Sequence, residues 1–208
     1  MAGPITVVMA QVNLMVGDID GNTDIVLQNA NRAMQDYGAH IIVFPELTLT
    51  GYPPEDLLLR PSLGVRVEKA LQRIKAADLG IVIVLGFPCK EEERLFNAAV
   101  VIEGSKCLGI YRKQCLPNYQ VFDERRYFVA GDRAFVAELA GVRIALTICE
   151  DLWEDGPALQ AHELGAQLLI NLNASPYHMN KLLERREMLR QRSTAAGLPI
   201  IYVNLVGG

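Results

Sequence analysis

Three residues of this 208-residue chain could together hydrolyse an amide bond: Glu46, Lys113 and Cys149. The reaction needs a nucleophile, a base that takes its proton and later activates water, and a cation or N–H donors for the oxyanion. Cys149 follows the apolar run at residues 142–148 and opens an acidic, turn-rich stretch, so it stands where a strand ends and a helix begins. Such a junction surrounds a side chain with unpaired backbone N–H groups. Attack on a carbonyl by Cys149 is therefore the first hypothesis.

Each of the three residues also has an ordinary structural explanation when it is taken alone. Glu46 follows the apolar run at residues 41–45, where α/β active sites lie, but such an acid could equally cap a loop or pair with an arginine. Lys113 could be a solvated lysine at a strand terminus, and a free cysteine commonly packs as a small core hydrophobe. Only the combination of the three favours catalysis.

Other catalytic arrangements are hard to build from this sequence. No histidine has a clear claim to a Cys–His pair, because His40 precedes a strand, His162 falls in a predicted helix and His178 follows a tyrosine. The sequence contains neither a Gly-x-Ser-x-Gly elbow nor a Gly-x-x-x-x-Gly-Lys-Ser/Thr phosphate loop. These observations leave the thiol with a carboxylate and an ammonium as its partners.

Four carboxylates follow the thiol within about one helical turn: Glu150, Asp151, Glu154 and Asp155. Oxygen ligands suit magnesium or calcium, so the run could be read as a metal site. We instead expect these acids to favour the positive end of the following helix, and we predict no metal. Acids beside a thiol raise its pKa, so an ammonium must offset them if a thiolate is to form.

Composition excludes several classes of protein. Half of the residues are hydrophobic, and the formal net charge of -4 comes from interspersed acids and bases, which argues against a nucleic-acid or anionic-membrane surface. No apolar stretch reaches membrane-spanning length, and the first residues do not read as a signal peptide. The four cysteines form no Cys-x-x-Cys pair, which disfavours zinc and disulfides. We expect small-molecule chemistry in the cytoplasm.

Short apolar runs alternate with helical patterns along the chain. Runs typical of strands covered on both faces occupy residues 5–11, 40–45, 80–87, 142–149, 167–173 and 199–205. A β-hairpin is predicted where residues 97–102 and 107–111 flank a polar turn. The sequence therefore predicts one domain of α/β layers with mixed strand topology.

Four helices are predicted between these strands. The first carries apolar residues from Val26 to Tyr37 and is capped by Asn22 or Thr23; the second contains Leu71 and Ile74; the third follows Pro157; the fourth spans residues 179–196. On the fourth helix, charged residues such as Arg185 are expected to form a solvated face, with Lys181 as the possible exception.

Three segments resemble, in order, the catalytic segments of the nitrilase (carbon–nitrogen hydrolase) superfamily: FPEL at residues 44–47, KQCLPNY at 113–119 and ICEDLW at 148–153. The longer strings TGYPPEDLL at 50–58 and VFDERRYF at 121–128 are more specific. They resemble the amino-terminal glutaminase domain of glutamine-dependent NAD synthetases, and the likeness covers essentially the whole chain. We therefore expect residues 1–208 to form a glutaminase domain.

The resemblance implies a fold and a set of roles. The fold would be a nitrilase-type α-β-β-α sandwich, truncated at its carboxyl-terminal end. Glu46 would be the general base, Cys149 the nucleophile, and Lys113 with the backbone N–H of Glu150 the oxyanion donors. Glu124 would support the lysine or the substrate.

Three further positions are implied to hold the glutamine: Tyr119, Ser175 and Lys181. Glutamine is a zwitterion, so polar groups must meet its ammonium and carboxylate far from the scissile amide. Ordinary explanations remain open at this stage. Tyr119 could pack on its own loop, Ser175 could cap a turn before Pro176, and Lys181 could lie on the exposed face of its helix.

The resemblance also implies what lies outside this chain. In such enzymes ammonia passes to a second domain of the same chain, which uses ATP and magnesium to convert deamido-NAD to NAD; the glutaminase reaction itself needs no cofactor. A homo-oligomer is expected. The chain lacks the Ser-Gly-Gly-x-Asp-Ser signature of that second domain. Two alternatives remain open: a stand-alone amidase or carbamoylase of the same superfamily, and a non-catalytic docking module.

Overall fold

The computed structural model describes residues 4–119, 122–176 and 179–207, so Val121 and His178 lie outside the described residues. The helices and strands follow one another as β1 (Val7–Met9), α1 (Ile19–Tyr37), β2 (Ile41–Val43), α2 (Pro61–Ala76), β3 (Val82–Glu91), β4 (Arg94–Glu103), β5 (Lys106–Arg112), β6 (Phe135–Leu139), β7 (Val142–Ile148), α3 (Gly156–Glu163), β8 (Leu168–Asn173), α4 (Lys181–Ala196) and β9 (Ile200–Asn204).

The described strands form two sheets. The first has the order β1-β2-β3-β4-β5, parallel from β1 to β3 and antiparallel from β3 to β5. The second has the order β6-β7-β8-β9, antiparallel at β6 and parallel thereafter. The predicted hairpin is confirmed as β4 and β5, and so is the mixed topology.

The two sheets pack face to face, and helices cover their outer faces. Alternation along β2 shows this directly: Ile41 and Val43 lie in the core between the sheets, whereas Ile42 and Phe44 lie against α1 and α2. Helices α3 and α4 pack on the outer face of the second sheet. The α-β-β-α sandwich is therefore confirmed. No helix among the described residues has both the length and the apolar character that a membrane crossing requires.

Several local predictions differ from the structure. Helix α3 begins at Gly156 and includes Pro157, and α4 begins at Lys181 rather than at residue 179. Helix α1 begins at Ile19 with Asp18 as its cap, so the predicted caps are wrong. Asn22 lies within the first turn instead, where its side chain donates to the carbonyls of Met15 and Leu49. Strand β6 was not predicted, because its residues are only half-buried and give a weak apolar signal.

Candidate functional site

Strand ends from both sheets bring the predicted site residues together. Glu46 follows β2 and Lys113 follows β5 in the first sheet, while Cys149 follows β7 and Ser175 follows β8 in the second. Ala174, after β8, donates its backbone N–H to Glu46 Oε2 at 3.1 Å, so the two sheets meet at this point.

Gly86 of β3 allows the backbone around Glu46 to pass close to the sheet. A Cβ at this position would lie 2.4 Å from the Leu47 nitrogen and 2.8 Å from the Glu46 carbonyl carbon, so no other residue fits without a shift. The Gly86 N–H donates to the Pro45 carbonyl at 3.2 Å. Leu47 itself has a φ of 47°. This tight turn directs Glu46 towards the second sheet.

A buried ion triad forms the centre of the site. The Lys113 ammonium donates to Glu46 Oε1 at 2.7 Å and to Glu124 Oε1 at 2.8 Å, and all three side chains are buried. Lys113 is only 1% exposed, so the alternative of a solvated lysine is wrong. An ammonium has three donors, and these two contacts leave one N–H for another acceptor.

Two residues that the sequence analysis missed complete this triad. Asn97 of β4 donates from Nδ2 to Glu46 at 2.7 Å and to Glu124 at 3.5 Å. The Tyr52 hydroxyl donates to Glu124 at 3.2 Å. The sequence carried a signal for Asn97, since it is a polar residue next to the apolar run of β4. The structure shows that it is fully buried.

The charges of the triad depend on one another. Burial alone would lower the pKa of the Lys113 ammonium, but the Glu46 and Glu124 carboxylates raise it well above its ordinary value. Burial raises the pKa of Glu124, and the Lys113 ammonium offsets part of this rise. Lys113 therefore remains a cation throughout the neutral range.

Cys149 begins a 3-10 turn, Cys149–Leu152, in a strained conformation with a φ of 44°. Such a conformation costs a non-glycine residue about 1–3 kcal/mol and is concentrated at functional sites. The thiol is 4% exposed and lies 3.6 Å from Ser175 Oγ. Burial raises its pKa, Glu46 raises it further and Lys113 lowers it. The resting group is therefore a thiol that needs a base.

Tyr119 contacts Glu150, the residue that follows Cys149 in the 3-10 turn. The Tyr119 hydroxyl donates to the Glu150 carboxylate, 3.0 Å from each oxygen, and the tyrosine ring contacts Phe122 edge-on. Burial and the neighbouring carboxylate raise the pKa of Tyr119 to about 12. Tyr119 is 50% exposed, so its hydroxyl can reach a ligand.

Ser175 is held in place by residues of β9. Its backbone N–H donates to Asn204 Oδ1 at 3.0 Å, and its hydroxyl lies 3.5 Å from the Tyr202 hydroxyl. Arg185 of α4 reaches the Ser175 carbonyl at 3.5 Å and lies over the Tyr202 ring. The prediction that Arg185 is solvated is therefore wrong, because this half-buried guanidinium supports the Ser175 loop.

Lys181 is the first residue of α4, and its side chain is 21% exposed. Its ammonium lies 4.4 Å from the centre of the Trp153 ring and 3.5 Å from Glu184 Oε2. Cation–π contact of this kind holds an ammonium in place while leaving donors available. Trp153 follows Cys149 by four residues, so Lys181 is close to the segment that carries the thiol.

The acidic run after Cys149 does not act as one group. Asp151 is fully buried under the first sheet, so the helix-end expectation is wrong for it. Glu150 contacts Tyr119, and Asp155 pairs with Arg192 of α4. Among residues 4–119, 122–176 and 179–207, no three His, Cys, Asp or Glu side chains are grouped to hold a metal ion.

The described histidines lie outside this cluster. His40 Nδ1 accepts the Thr6 N–H at 3.0 Å, and His162 belongs to α3.

A cavity of about 210 Å³ adjoins Glu124 and Tyr52 on the far side of the triad. A larger groove, of about 1160 Å³, runs between α2 and β3–β5 on the outer face of the first sheet, away from Cys149.

Comparison with known proteins identifies the family of this chain. Residues 6–208 match the model of the carbon-nitrogen hydrolase family. The chain belongs to this family. Carbon-nitrogen hydrolases are hydrolases, and the segments that suggested this family from the sequence alone all lie within the matched range.

Relatives within the family are longer proteins. The chain is 43% identical over 210 residues to the glutamine-dependent NAD(+) synthetase of Xanthomonas campestris pv. campestris (strain 8004), covering 100% of this chain and 38% of the relative. It is 43% identical over 205 residues to that of Aquifex aeolicus (strain VF5), covering 96% and 35%. The chain thus spans less than two-fifths of these relatives.

Solved structures show the same fold. Glutamine-dependent NAD+ synthetase from Acinetobacter baumannii, in complex with ADP, superposes with a TM-score of 0.93 at 40% identity, over 97% of this chain and 38% of that one. An amidase from Nesterenkonia sp. superposes with a TM-score of 0.89 at 24% identity, over 100% of this chain and 78% of that one. The second likeness concerns the fold alone.

Proposed function

We propose that this chain hydrolyses the side-chain amide of glutamine to glutamate and ammonia through a thioester on Cys149. The observation that carries the proposal is the buried contact of Lys113 with Glu46 and Glu124. The charges of all three residues shift the pKa of the Cys149 thiol. Burying three charges is costly unless they are paired, so a triad at strand ends favours a catalytic role.

In the first step, Glu46 takes the proton of Cys149 as the sulfur attacks the amide carbon. A base is needed because burial and Glu46 keep the pKa of the thiol high. The carbonyl oxygen becomes an oxyanion, which accepts the third N–H of Lys113 and the backbone N–H of Glu150. As the second residue of a 3-10 turn, Glu150 offers an N–H without an acceptor in its own turn.

In the second step, Glu46 returns its proton to the amide nitrogen, the carbon–nitrogen bond breaks and ammonia leaves. A γ-glutamyl thioester remains on Cys149. Glu46 then removes a proton from water, the hydroxide oxygen attacks the thioester, and the proton returns to the sulfur as glutamate departs. The residues of the chain supply every proton transfer in this cycle.

Opposite charges at the mouth of the site would recognise the two ends of glutamine. Lys181 would bind the α-carboxylate, and the Glu150 carboxylate with the Tyr119 hydroxyl would bind the α-ammonium. The Ser175 hydroxyl, next to the thiol, would contact the substrate near the scissile amide. Glu124 would hold Lys113 in place rather than contact glutamine.

We further propose that the released ammonia is used for the synthesis of NAD. The support is that the relatives that are 43% identical to this chain are glutamine-dependent NAD(+) synthetases and are longer than this chain. A synthetase part of the same polypeptide, using ATP and magnesium, would convert deamido-NAD to NAD. A homo-oligomer in the cytoplasm fits this proposal, and the four free cysteines agree with a reducing compartment.

Ammonia release from glutamine tests the proposal. The wild-type chain and Cys149→Ala are compared, with Cys107→Ala as the matched control because Cys107 is an exposed cysteine far from the triad. We expect wild type and the control to release ammonia and Cys149→Ala to release none. Equal slow release by all three would contradict catalysis and favour a docking module. Faster hydrolysis of a simple aliphatic amide than of glutamine would favour a stand-alone amidase.

A further inference from the structure

One buried carboxylate connects the segment that carries Lys113 to the segment that carries Cys149. Asp151 is 0% exposed. Its Oδ1 accepts the backbone N–H groups of Gln114 at 3.0 Å and Cys115 at 2.8 Å. Its Oδ2 accepts the Ile148 backbone N–H at 2.8 Å and the Tyr111 hydroxyl at 2.7 Å. Both oxygens are thus fully engaged.

The four donors flank the two reactive side chains. Tyr111 lies two residues before Lys113, and Gln114 and Cys115 follow it directly. Ile148 is the residue immediately before Cys149. Lys113 belongs to the end of β5 in the first sheet and Cys149 to the end of β7 in the second, so Asp151 ties the two sheets together where the chemistry is proposed.

An ionised carboxylate accepts all four of these hydrogen bonds without rearrangement. Three of the donors are backbone N–H groups, which cannot accept, and each carboxylate oxygen receives two of the four hydrogen bonds. An asparagine would present an NH₂ group to one pair of donors. It would lose both bonds if that pair were Gln114 and Cys115, and the Ile148 bond if the pair were Ile148 and Tyr111. Burial raises the pKa of Asp151, but the hydrogen bonds from Ile148, Tyr111 and Cys115 oppose that rise.

We propose that Asp151 is a positioning residue that fixes the separation between the Lys113 ammonium and the Cys149 thiol, without itself touching the substrate. This inference rests on the proposed amide hydrolysis, because that reaction places one oxyanion between the two groups. A displacement of about 1 Å between reacting groups can lower a rate by about 10²-fold. The two-sheet connection at Asp151 would prevent such a displacement.

Two substitutions test the proposal at different strengths. Asp151→Asn removes up to half of the contacts, so we expect kcat for ammonia release to fall about 10²-fold while KM stays within about 3-fold, because substrate groups are untouched. Tyr111→Phe removes one hydroxyl and keeps the carboxylate with its three backbone bonds, so a smaller loss of kcat is expected. Asp155→Asn is the matched control, since Asp155 belongs to the same acidic run but is exposed.

Alkylation of Cys149 by iodoacetamide gives a readout that needs no glutamine. Peptide mass spectrometry counts Cys149 separately from the exposed Cys107. In Tyr111→Phe, which changes no charge of the resting protein, the alkylation profile should move to higher pH, because a displaced Lys113 lowers the thiol pKa less. A merely structural role would lower the unfolding temperature and leave this profile unchanged.

The outcomes distinguish a failure of the positioning role from a failure of the proposed amide hydrolysis. Wild-type kcat in both variants, or an unchanged alkylation profile in Tyr111→Phe, would overturn the positioning role. If Asp151→Asn does not fold, Tyr111→Phe alone decides. If wild type does not hydrolyse glutamine, the proposed function fails, but a displaced profile in Tyr111→Phe would still show that this contact network sets the environment of the thiol.

Discussion

The two halves of the candidate site are built in opposite ways. The half proposed to do the chemistry, Glu46, Lys113 and Glu124, is buried, and its ammonium lies 2.7 and 2.8 Å from its carboxylates. The half proposed to hold the substrate includes Tyr119, which is 50% exposed, and Lys181, whose ammonium lies 4.4 Å from a tryptophan ring and 3.5 Å from its carboxylate partner. The first half is held by short contacts between buried charges, whereas the second half is held by longer or more exposed contacts.

This difference indicates how the work of the site is divided. Groups that stabilise developing charge act best when they are fixed before the reaction, because no reorganisation is then needed. Groups that recognise a free amino acid must give up contacts within the protein and form contacts with the ligand instead. Substitutions in the buried half should therefore change kcat and stability together, whereas those in the exposed half should change KM alone.

The largest effect is expected for Lys113→Met. Glu46 and Glu124 would then remain buried without their shared cation, which for a broken buried ion pair costs about 3–5 kcal/mol of unfolding free energy. Loss of an oxyanion donor should also reduce kcat by at least about 10²-fold. Urea denaturation and ammonia release measure the two effects. Lys69→Met, on the exposed face of α2, is the control; similar behaviour of both variants would remove the distinction between the halves.

Glu46→Gln removes both a base and a negative charge, and the two losses should have different effects. Loss of the base should lower kcat by about 10²–10⁴-fold. The Glu46 charge raises the pKa of Cys149, so its removal should lower that pKa and move thiol alkylation to lower pH. Alkylation across a pH series checks the sign. A profile displaced to higher pH would mean that Glu46 does not face the thiol in solution.

Substitution of Lys181 should affect binding more than chemistry. Lys181→Ala is expected to raise KM for glutamine about 10-fold with little change in kcat, since this ammonium is proposed to meet the remote carboxylate. Lys181→Met keeps the contact with the Trp153 ring and should show the same rise, which separates charge from packing. An unchanged KM with a collapsed kcat would place Lys181 in the chemical half.

The smallest effect is expected for Tyr119→Phe. The variant keeps the edge-on contact with Phe122 and loses only the hydroxyl that donates to Glu150. Because Tyr119 is half exposed, water can replace the lost hydroxyl, so the net contribution of this hydrogen bond should be about 0.5–1 kcal/mol and KM should rise only about 2- to 5-fold. Steady-state kinetics with glutamine measure it, and an unfolding temperature below that of wild type would indicate a structural role instead.

Local sequence predicted the elements but not the contacts between them. Buried strands leave nearly continuous apolar runs, so β2, β3, β7 and β8 were predicted. Strand β9 was predicted from the same kind of run although it is only partly buried, whereas partly buried β6 was missed. The cap of α1 was mispredicted because Asn22 bonds to the distant Leu49 carbonyl, which no local pattern encodes.

The same reason explains what was missed in the site. The spacing of motifs suggested Glu46, Lys113 and Cys149, and the structure brings them together. Asp151 was grouped with its acidic neighbours, although its function depends on donors at residues 111, 114 and 115, which are remote in the chain. Asn97 was interpreted only as part of a strand, because its hydrogen-bond partners, Glu46 and Glu124, come from two separate loops.

Rapid-quench mass spectrometry of the chain mixed with glutamine tests the central claim most directly. The account predicts that wild-type protein transiently carries one γ-glutamyl group, that peptide mapping places it on Cys149, and that Glu46→Gln alters how fast it forms and decays. Ammonia release without any adduct on Cys149, or an adduct on another residue, would contradict the account.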